Sequence, residues 1–453
     1  MNVRRKIVVP ILLLTFFASA PLILLYASGY SYNLKRNRLE KSGILKIDTV
    51  PDGAIVSLDG KPGRRRTTPV SIGHLMPEQY LVSIDRPGFL PWSKTLTVES
   101  GKTTFAKGVV LVAETLPQMV SRTTAKVSAL DLNGTTAAYL ENDGQWEEIK
   151  RFKVETESVL PLARFAVGRY DDVRLSLSDD GQRLLIGGRE ADGRLSLQVY
   201  RTDLTSDPNQ LDLQVGPSES RPLVSWSAGG HGLAIANGHE LTLLPSEGEI
   251  VSVTLDAAPS GIFLAGDAIW LLTEDRGDTG LLTRIGLRDL KPAGQEIPLP
   301  HSGMSLVGGN DRYLVLTGNE PDSGLLVDTG RDRISRLPKS DGLAWEHADS
   351  TGRLLLWNDF EIHVVNPENG ESYLVTRLGT PITGCRWFPL GTMVIFATDR
   401  RITAIELDDR DRRNTFILAS FESVSSMTVD EQAGVLHFVG AIGSQRGIYE
   451  RPL

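Results

Sequence analysis

Three features of the sequence predict an all-β fold behind a single N-terminal helix. The first is a charge-free apolar run near the start of the chain. The second is a switch, at Gly43, to apolar residues at alternate positions broken by Asp-Gly turns. The third is a unit of about 43 residues that recurs between residue 116 and residue 453. They divide the chain into an N-terminal tail (1–6), a transmembrane helix (7–30), a juxtamembrane linker (31–42), a small β-sandwich (43–112) and a seven- or eight-bladed β-propeller (116–453).

Composition narrows the function before any motif is read. The 453 residues carry a net charge of -8 with only 48 Lys and Arg, which argues against a nucleic-acid-binding surface along the whole chain. One cysteine, Cys385, excludes an internal disulfide framework and any multi-cysteine zinc or iron–sulfur site. It is compatible with either side of a membrane.

Arg4, Arg5 and Lys6 precede a stretch from Ile7 to Leu34 without a charged residue. About twenty apolar residues cross a bilayer core as a helix. Pro10 and Pro21 are tolerated there more readily than in a soluble helix. Tyr26, Tyr30 and Tyr32 fall where an interfacial aromatic belt forms. Ala18-Ser19-Ala20 has the form of a signal-peptidase site, but Pro21 follows at once and the apolar run continues through Leu25. The expectation is an uncleaved anchor. Lys35, Arg36, Arg38 and Lys41 beyond the run nearly balance the basic residues before it. Because long domains cross regardless of charge, the expected orientation is a cytoplasmic N-terminus with the bulk of the chain extracytoplasmic.

From Gly43 the period is two. Ile44, Leu45, Ile47 and Val50 lead to Pro51-Asp52-Gly53-Ala54, and Ile55, Val56 and Leu58 lead to Asp59-Gly60. Further strands are expected at 80–84 and 92–98. These residues, with Thr68-Pro69, Tyr80, Gly88-Phe89 and Trp92, resemble a PEGA domain over 43–112, with Pro-Asp-Gly-Ala standing for the Pro-Glu-Gly-Ala that names it. Pro77-Glu78-Gln79-Tyr80 departs from the family's Pro-Gly-x-Tyr at one turn. The resemblance implies a small extracytoplasmic β-sandwich, often on surface-layer-associated proteins, and no catalysis. The order of apolar span, Tyr-Ala-Ser-Gly-Tyr exit and PEGA domain also resembles a group of bacterial membrane proteins. Arg64, Arg65 and Arg66 are expected on a loop of this domain, where the bland reading is a solvated basic turn and the sharper one is contact with polyanions such as lipid phosphates or anionic wall polymers.

Beyond residue 116 each repeat has an anchor residue, a Gly or Asp turn, a strongly apolar strand, another turn and a third strand. Leu130, Leu177, Trp226 and Trp387 each precede a glycine by four positions, and looser copies start at Phe263, Leu306, Trp345 and Val429. The second strands, such as Tyr313-Leu314-Val315-Leu316 and Leu354-Leu355-Leu356-Trp357, are continuously apolar. That pattern fits strands buried on both faces between stacked blades. The last unit ends after its third strand, so Leu116–Val120 is expected to supply the fourth and close a ring of eight blades, with seven as the near alternative. An irregular pair of β-sandwiches is the competing architecture. Trp226, Trp345 and Trp387 share one register, which points to packing between blades before a binding surface.

The chemistry-bearing motifs are missing: no Walker loop, no Gly-x-Ser-x-Gly elbow, no His-Glu-x-x-His and no Gly-x-Gly-x-x-Gly before a helix. His74, His231, His239, His301, His347, His363 and His437 have no ligand spacing. Asp179-Asp180-Gly181 lacks the alternating oxygens of a calcium loop, and Asp408–Arg413 reads as a solvated charged hairpin. No catalytic, cofactor or metal residue is assigned, and no cofactor is expected. The expected function is a membrane-anchored extracytoplasmic binding or scaffold protein whose partners are the membrane and an envelope protein or cell-wall glycan, with no nucleic acid. The alternative is a propeller hydrolase or lyase built on Asp131, Ser178, Ser227, Glu346 and Asp430 at the channel mouth.

Overall fold

A computed structural model describes residues 3–33, 37–123, 126–133, 135–178, 180–203, 211–215, 222–227, 230, 232–245, 249–274, 279–294, 296–320, 322–346 and 352–453. The chain forms two compact units. The first is Met1–Thr115 with Ile405–Phe416, and the second is Leu116–Ala404 with Ile417–Leu453.

In the first unit, α1 (Val3–Ala27) begins with Arg4, Arg5 and Lys6 and has no charged residue from Ile7 on. It stops before the apolar run does, because Gly29 takes a left-handed φ of 84° and the amides of Ser28 and Gly29 turn back to the carbonyls of Leu24 and Tyr26. Nine strands follow: β1 (Tyr30–Asn33), β2 (Arg38–Lys41), β3 (Gly43–Val50), β4 (Ile55–Leu58), β5 (Lys61–Thr67), β6 (Val70–Leu75), β7 (Gln79–Asp85), β8 (Trp92–Thr97) and β9 (Thr103–Val110). β1 and β2 form a hairpin of their own, and the rest make two sheets, β6-β3-β9 and β5-β4-β7-β8. Alternation along β3 buries Leu45 and Ile47 and turns Ile44 and Lys46 outward. Val56, Ile72, Val82, Ile84 and Leu96 join the core. Each such side chain contributes about 1.5–3 kcal/mol on burial. Asp59 and Gly60, at φ 50° and 69°, make the two-residue hairpin between β4 and β5. The Pro-Asp-Gly-Ala and Thr-Pro segments meet. The Gly53 amide donates to the Thr68 carbonyl, and the Ala54 amide donates to the buried Thr68 hydroxyl at 3.0 Å.

The second unit contains eight four-stranded antiparallel sheets among the described residues. They occupy 126–166, 170–215, 223–254, 261–298, 305–337, 342–377 and 384–420 as blades 1 to 7, with the part of blade 7 at 405–416 grouped with the first unit; blade 8 joins 423–452 to β10 (Gln118–Thr123). β10 pairs with the final strand, Gln445–Pro452, so the chain closes its own ring with the N-terminal strand expected from the sequence. The innermost strand of blade 8 lies against that of blade 1.

The continuous apolar runs are explained by the stacking. In blade 1, Tyr139 packs with Val439 and Ile448 of blade 8, while its neighbour Leu140 packs with Leu177 and Leu184 of blade 2. Tyr313 and Leu314 of blade 5 divide in the same way between blades 6 and 4. The middle of a strand between two blades has no wet face, and so few polar positions.

Candidate functional site

The residues that first suggested chemistry at the channel mouth turn out to hold turns. The Ser178 hydroxyl accepts from the Arg183 amide at 2.9 Å, and the Ser227 hydroxyl accepts from the Gly232 amide at 2.8 Å. In both turns the glycine three positions later has a left-handed φ, 65° at Gly181 and 75° at Gly230, and bonds back to the serine carbonyl. Asp180 accepts from the Ser178 hydroxyl and the Gln182 amide, so it is a turn residue. Asp430 accepts the amides of Gln432 and Ala433. Glu346 forms a bidentate ion pair with Arg353, which also donates to the Gly391 carbonyl in the next blade and lies over the Trp387 ring. The side chain of Asp131, and residues Gly134, Asp179, His231 and His347, lie outside what the structure describes.

The three tryptophans in register join blades. Trp226 donates its indole N–H to the Ser176 hydroxyl at 3.1 Å, Trp345 to the Gly309 carbonyl at 3.3 Å and Trp387 to the Ala344 carbonyl at 3.0 Å. Each acceptor lies on the first strand of the preceding blade. Among the histidines, His363 faces Glu361 at 3.0 Å, and that hydrogen bond leads the effects that hold the Glu361 carboxyl below its usual range. His437 is buried in blade 8. Among the described residues no group of three or more His, Cys, Asp or Glu is arranged to hold a metal ion.

Arg64, Arg65 and Arg66 lie on strand β5, at the edge of its sheet, and not on a loop. The tight Asp59-Gly60 turn reverses the chain within two residues, so pairing resumes at Lys61. Basic residues on an edge strand also discourage sheet-to-sheet association. Arg66 is exposed; the side chains of Arg64 and Arg65 lie outside the described residues.

The most developed polar cluster of the first unit is one that sequence patterning missed. Trp92 and Lys94 on β8 meet the segment Ile405–Phe416. Lys94 is fully buried, with Nζ 2.9 Å from Glu406 Oε2 and 3.6 Å from Asp408 Oδ2. It also donates to the Asp408 carbonyl at 2.6 Å. The Trp92 indole N–H donates to Glu406 Oε1 at 3.1 Å, and the Asn414 amide donates to Glu406 Oε2 at 2.9 Å. Asp411 accepts the Thr95 amide at 2.8 Å, and Arg410 donates to the Phe105 carbonyl at 2.6 Å. Burial pushes the Asp408 carboxyl up, but its hydrogen bonds from Arg410 and the nearby Lys94 charge outweigh that and hold it low. The charged run Asp408–Arg413 is the expected hairpin turn, exposed from Asp409 to Arg412, but Asp408, Arg410 and Asp411 also bond to Lys94, Phe105 and Thr95. A lysine at an inward position of a strand was the one available signal, since a buried lysine needs a carboxylate partner.

A cleft of about 320 Å³ opens between blades 2 and 3, floored by Leu185, Leu197 and Val224 with Arg174 and Arg189 at its rim. A shallower one of about 510 Å³ includes His301, Glu320 and Arg336.

Residues 42–110 match the PEGA domain family. A search of curated proteins finds no match. The structure described as "Structure of Dos1 propeller" is similar at 14% identity and a TM-score of 0.52, over 74% of this chain and 93% of that one. "Crystal structure of the eukaryotic initiation factor" is similar at 11% identity and a TM-score of 0.50, over 75% and 93%. At such identities the likeness is one of fold. The chain thus combines a PEGA domain over residues 42–110 and a β-propeller behind an N-terminal helix long and apolar enough to cross a membrane.

Proposed function

We propose that the chain is a membrane-anchored, extracytoplasmic binding or scaffold protein of the cell envelope, which presents its PEGA domain and propeller for protein or glycan contacts. The observation that carries this reading is α1. Its segment Pro10–Ala27 has a mean hydropathy of 2.0 and none of it is buried in the protein. A helix apolar along this length and left uncovered by its own fold supports a lipid environment around it. The Tyr26 ring stacks on His74 of β6 at 4.7 Å, which ties the end of the helix to the PEGA domain. Export of the bulk is supported by the passage of long domains regardless of flanking charge and by the settings in which PEGA domains occur. The basic stretch Arg64–Arg66, on an edge strand of the same unit, is the proposed contact for lipid or wall polyanions. The turn roles of Ser178, Ser227, Glu346 and Asp430 support binding over a propeller hydrolase or lyase.

Alkaline extraction of membranes and protease treatment of intact spheroplasts test this together. The expected result is a full-length chain that stays in the membrane pellet, with its propeller digested from outside. Soluble release of a chain that begins at Pro21 overturns the anchor, and a protease-protected propeller overturns the orientation. Crosslinking in intact envelopes is then expected to capture a protein or glycan on the exported part.

A further inference from the structure

The β1–β2 hairpin buries Asn33 and Glu40 and exposes Tyr30, Tyr32 and Leu39, with Arg38 and Lys41 also exposed, one on each face. Register places Tyr30, Tyr32, Leu39 and Lys41 on one face and Ser31, Asn33, Arg38 and Glu40 on the other. On the second face Asn33 and Glu40 are each only 8% exposed, and the Asn33 amide donates to the Glu40 carboxylate at 2.8 Å. On the first face Tyr30 is 39%, Tyr32 51% and Leu39 52% exposed. A hairpin in water is expected to show the reverse, since burying Asn and Glu costs free energy and exposing Tyr and Leu forgoes it. The inversion needs a surrounding medium that favours the apolar face.

The neighbouring helix indicates that medium. β1 starts three residues after α1 ends. The Gly29 carbonyl accepts from both the amide and the hydroxyl of Ser42 at 2.7 Å, which ties the far end of the hairpin to the helix exit. The hairpin is therefore held at the level where a spanning α1 leaves the hydrocarbon. That layer favours the groups presented: tyrosine rings with an apolar body and a polar tip, beside a lysine that reaches phosphate.

We propose that the Tyr30–Tyr32–Leu39 face of this hairpin lies in the phospholipid headgroup layer as a second membrane contact beside α1. The inference rests on α1 being a retained anchor. With that granted, the PEGA domain is attached to the bilayer surface by two elements rather than hanging from one flexible exit.

The lone cysteine makes the test clean. Cys385 is fully buried and its thiol is pushed up by burial, so an introduced surface cysteine is the reactive one. The full chain carrying Leu39→Cys, and separately Ser31→Cys and Leu390→Cys, is labelled with a nitroxide in nanodiscs of phosphatidylcholine and phosphatidylglycerol. Collision with oxygen and with a polar nickel chelate then reports depth. The label at residue 39 is expected to favour oxygen over nickel relative to residue 31, and residue 390 is expected to read as aqueous. An aqueous reading at 39 overturns the proposal. Shielding of 39 from both reagents also overturns it, because protein then covers the face. Failure of the chain to enter nanodiscs at all is a separate result and removes the anchor itself.

Discussion

Lys94 stands for the residue scale, because its charge is enclosed on all sides by its own unit. Replacing it with methionine removes the charge and leaves Glu406 and Asp408 facing an apolar side chain. Breaking a buried pair from one side typically costs about 3–5 kcal/mol, whereas replacing both partners is often close to neutral. Lys94→Met is therefore expected to be strongly destabilising in urea unfolding, and Lys94→Met with Glu406→Leu to recover much of the loss. An additive double variant refutes the pairing. His437 makes the opposite kind of prediction. Burial holds its imidazole below the ordinary 6.5; Asp430 opposes this, and Glu450 stands 3.9 Å away. Because the folded value is the lower one, the unfolded chain takes up a proton first as the pH falls. Stability is thus expected to decline as pH drops through 6.5 and to level off below the folded value, and His437→Leu to flatten that slope in thermal melts from pH 7.5 to pH 5. Apart from the inward register of Lys94, neither residue was legible as important beforehand. Lys94 reads as one polar residue in an alternating strand, and its partners lie more than three hundred positions away. No local pattern encodes a contact of that range.

At the element scale the sequence was far more explicit, for a physical reason. Turns and strand periods are set by neighbours in the chain, so Asp59-Gly60 and the glycines four residues after the anchors Leu130, Leu177, Trp226 and Trp387 could be read directly. These turns also supply a graded test. Gly391 has φ 65°, and a Cβ there runs into the Glu346 carboxylate that Arg353 holds. Gly434 has nearly the same φ, 64°, but open space around it. Alanine at Gly434 is expected to cost about 1 kcal/mol for the left-handed backbone alone, and at Gly391 about 2–3 kcal/mol because the ion pair must also move. Equal losses from the two variants in chemical denaturation dismiss the role given to the Glu346–Arg353 pair. The basic strand β5 shows where element-scale reading falls short. Three consecutive arginines look like a loop, because nothing in a charge run announces that an edge strand tolerates it.

Ring closure belongs to the scale of the whole molecule. Count and spacing of repeats implied eight blades, and the missing fourth strand of the last one implied a donor near residue 116; β10 fills that place. The final strand pairs on both sides, with β10 and with Val435–Ile442. Removal of residues 445–453 is therefore expected to open the ring. Limited proteolysis should then cleave blade 1 and blade 8 far faster than in the intact chain, while a substitution on an outer strand such as Ile417→Ser leaves the pattern unchanged. Intact protection after the truncation argues against closure by these strands. The same seam sets an order in time. β10 leaves the ribosome more than three hundred residues before its partner strand, Gln445–Pro452. Until then blade 1 has no neighbour for Tyr139, whose companions Val439 and Ile448 are still to come. A propeller closed in this way cannot be completed piecemeal during synthesis. Its N-terminal edge has to wait, exposed, for Gln445–Pro452 to arrive, and that interval is when a chaperone is most needed.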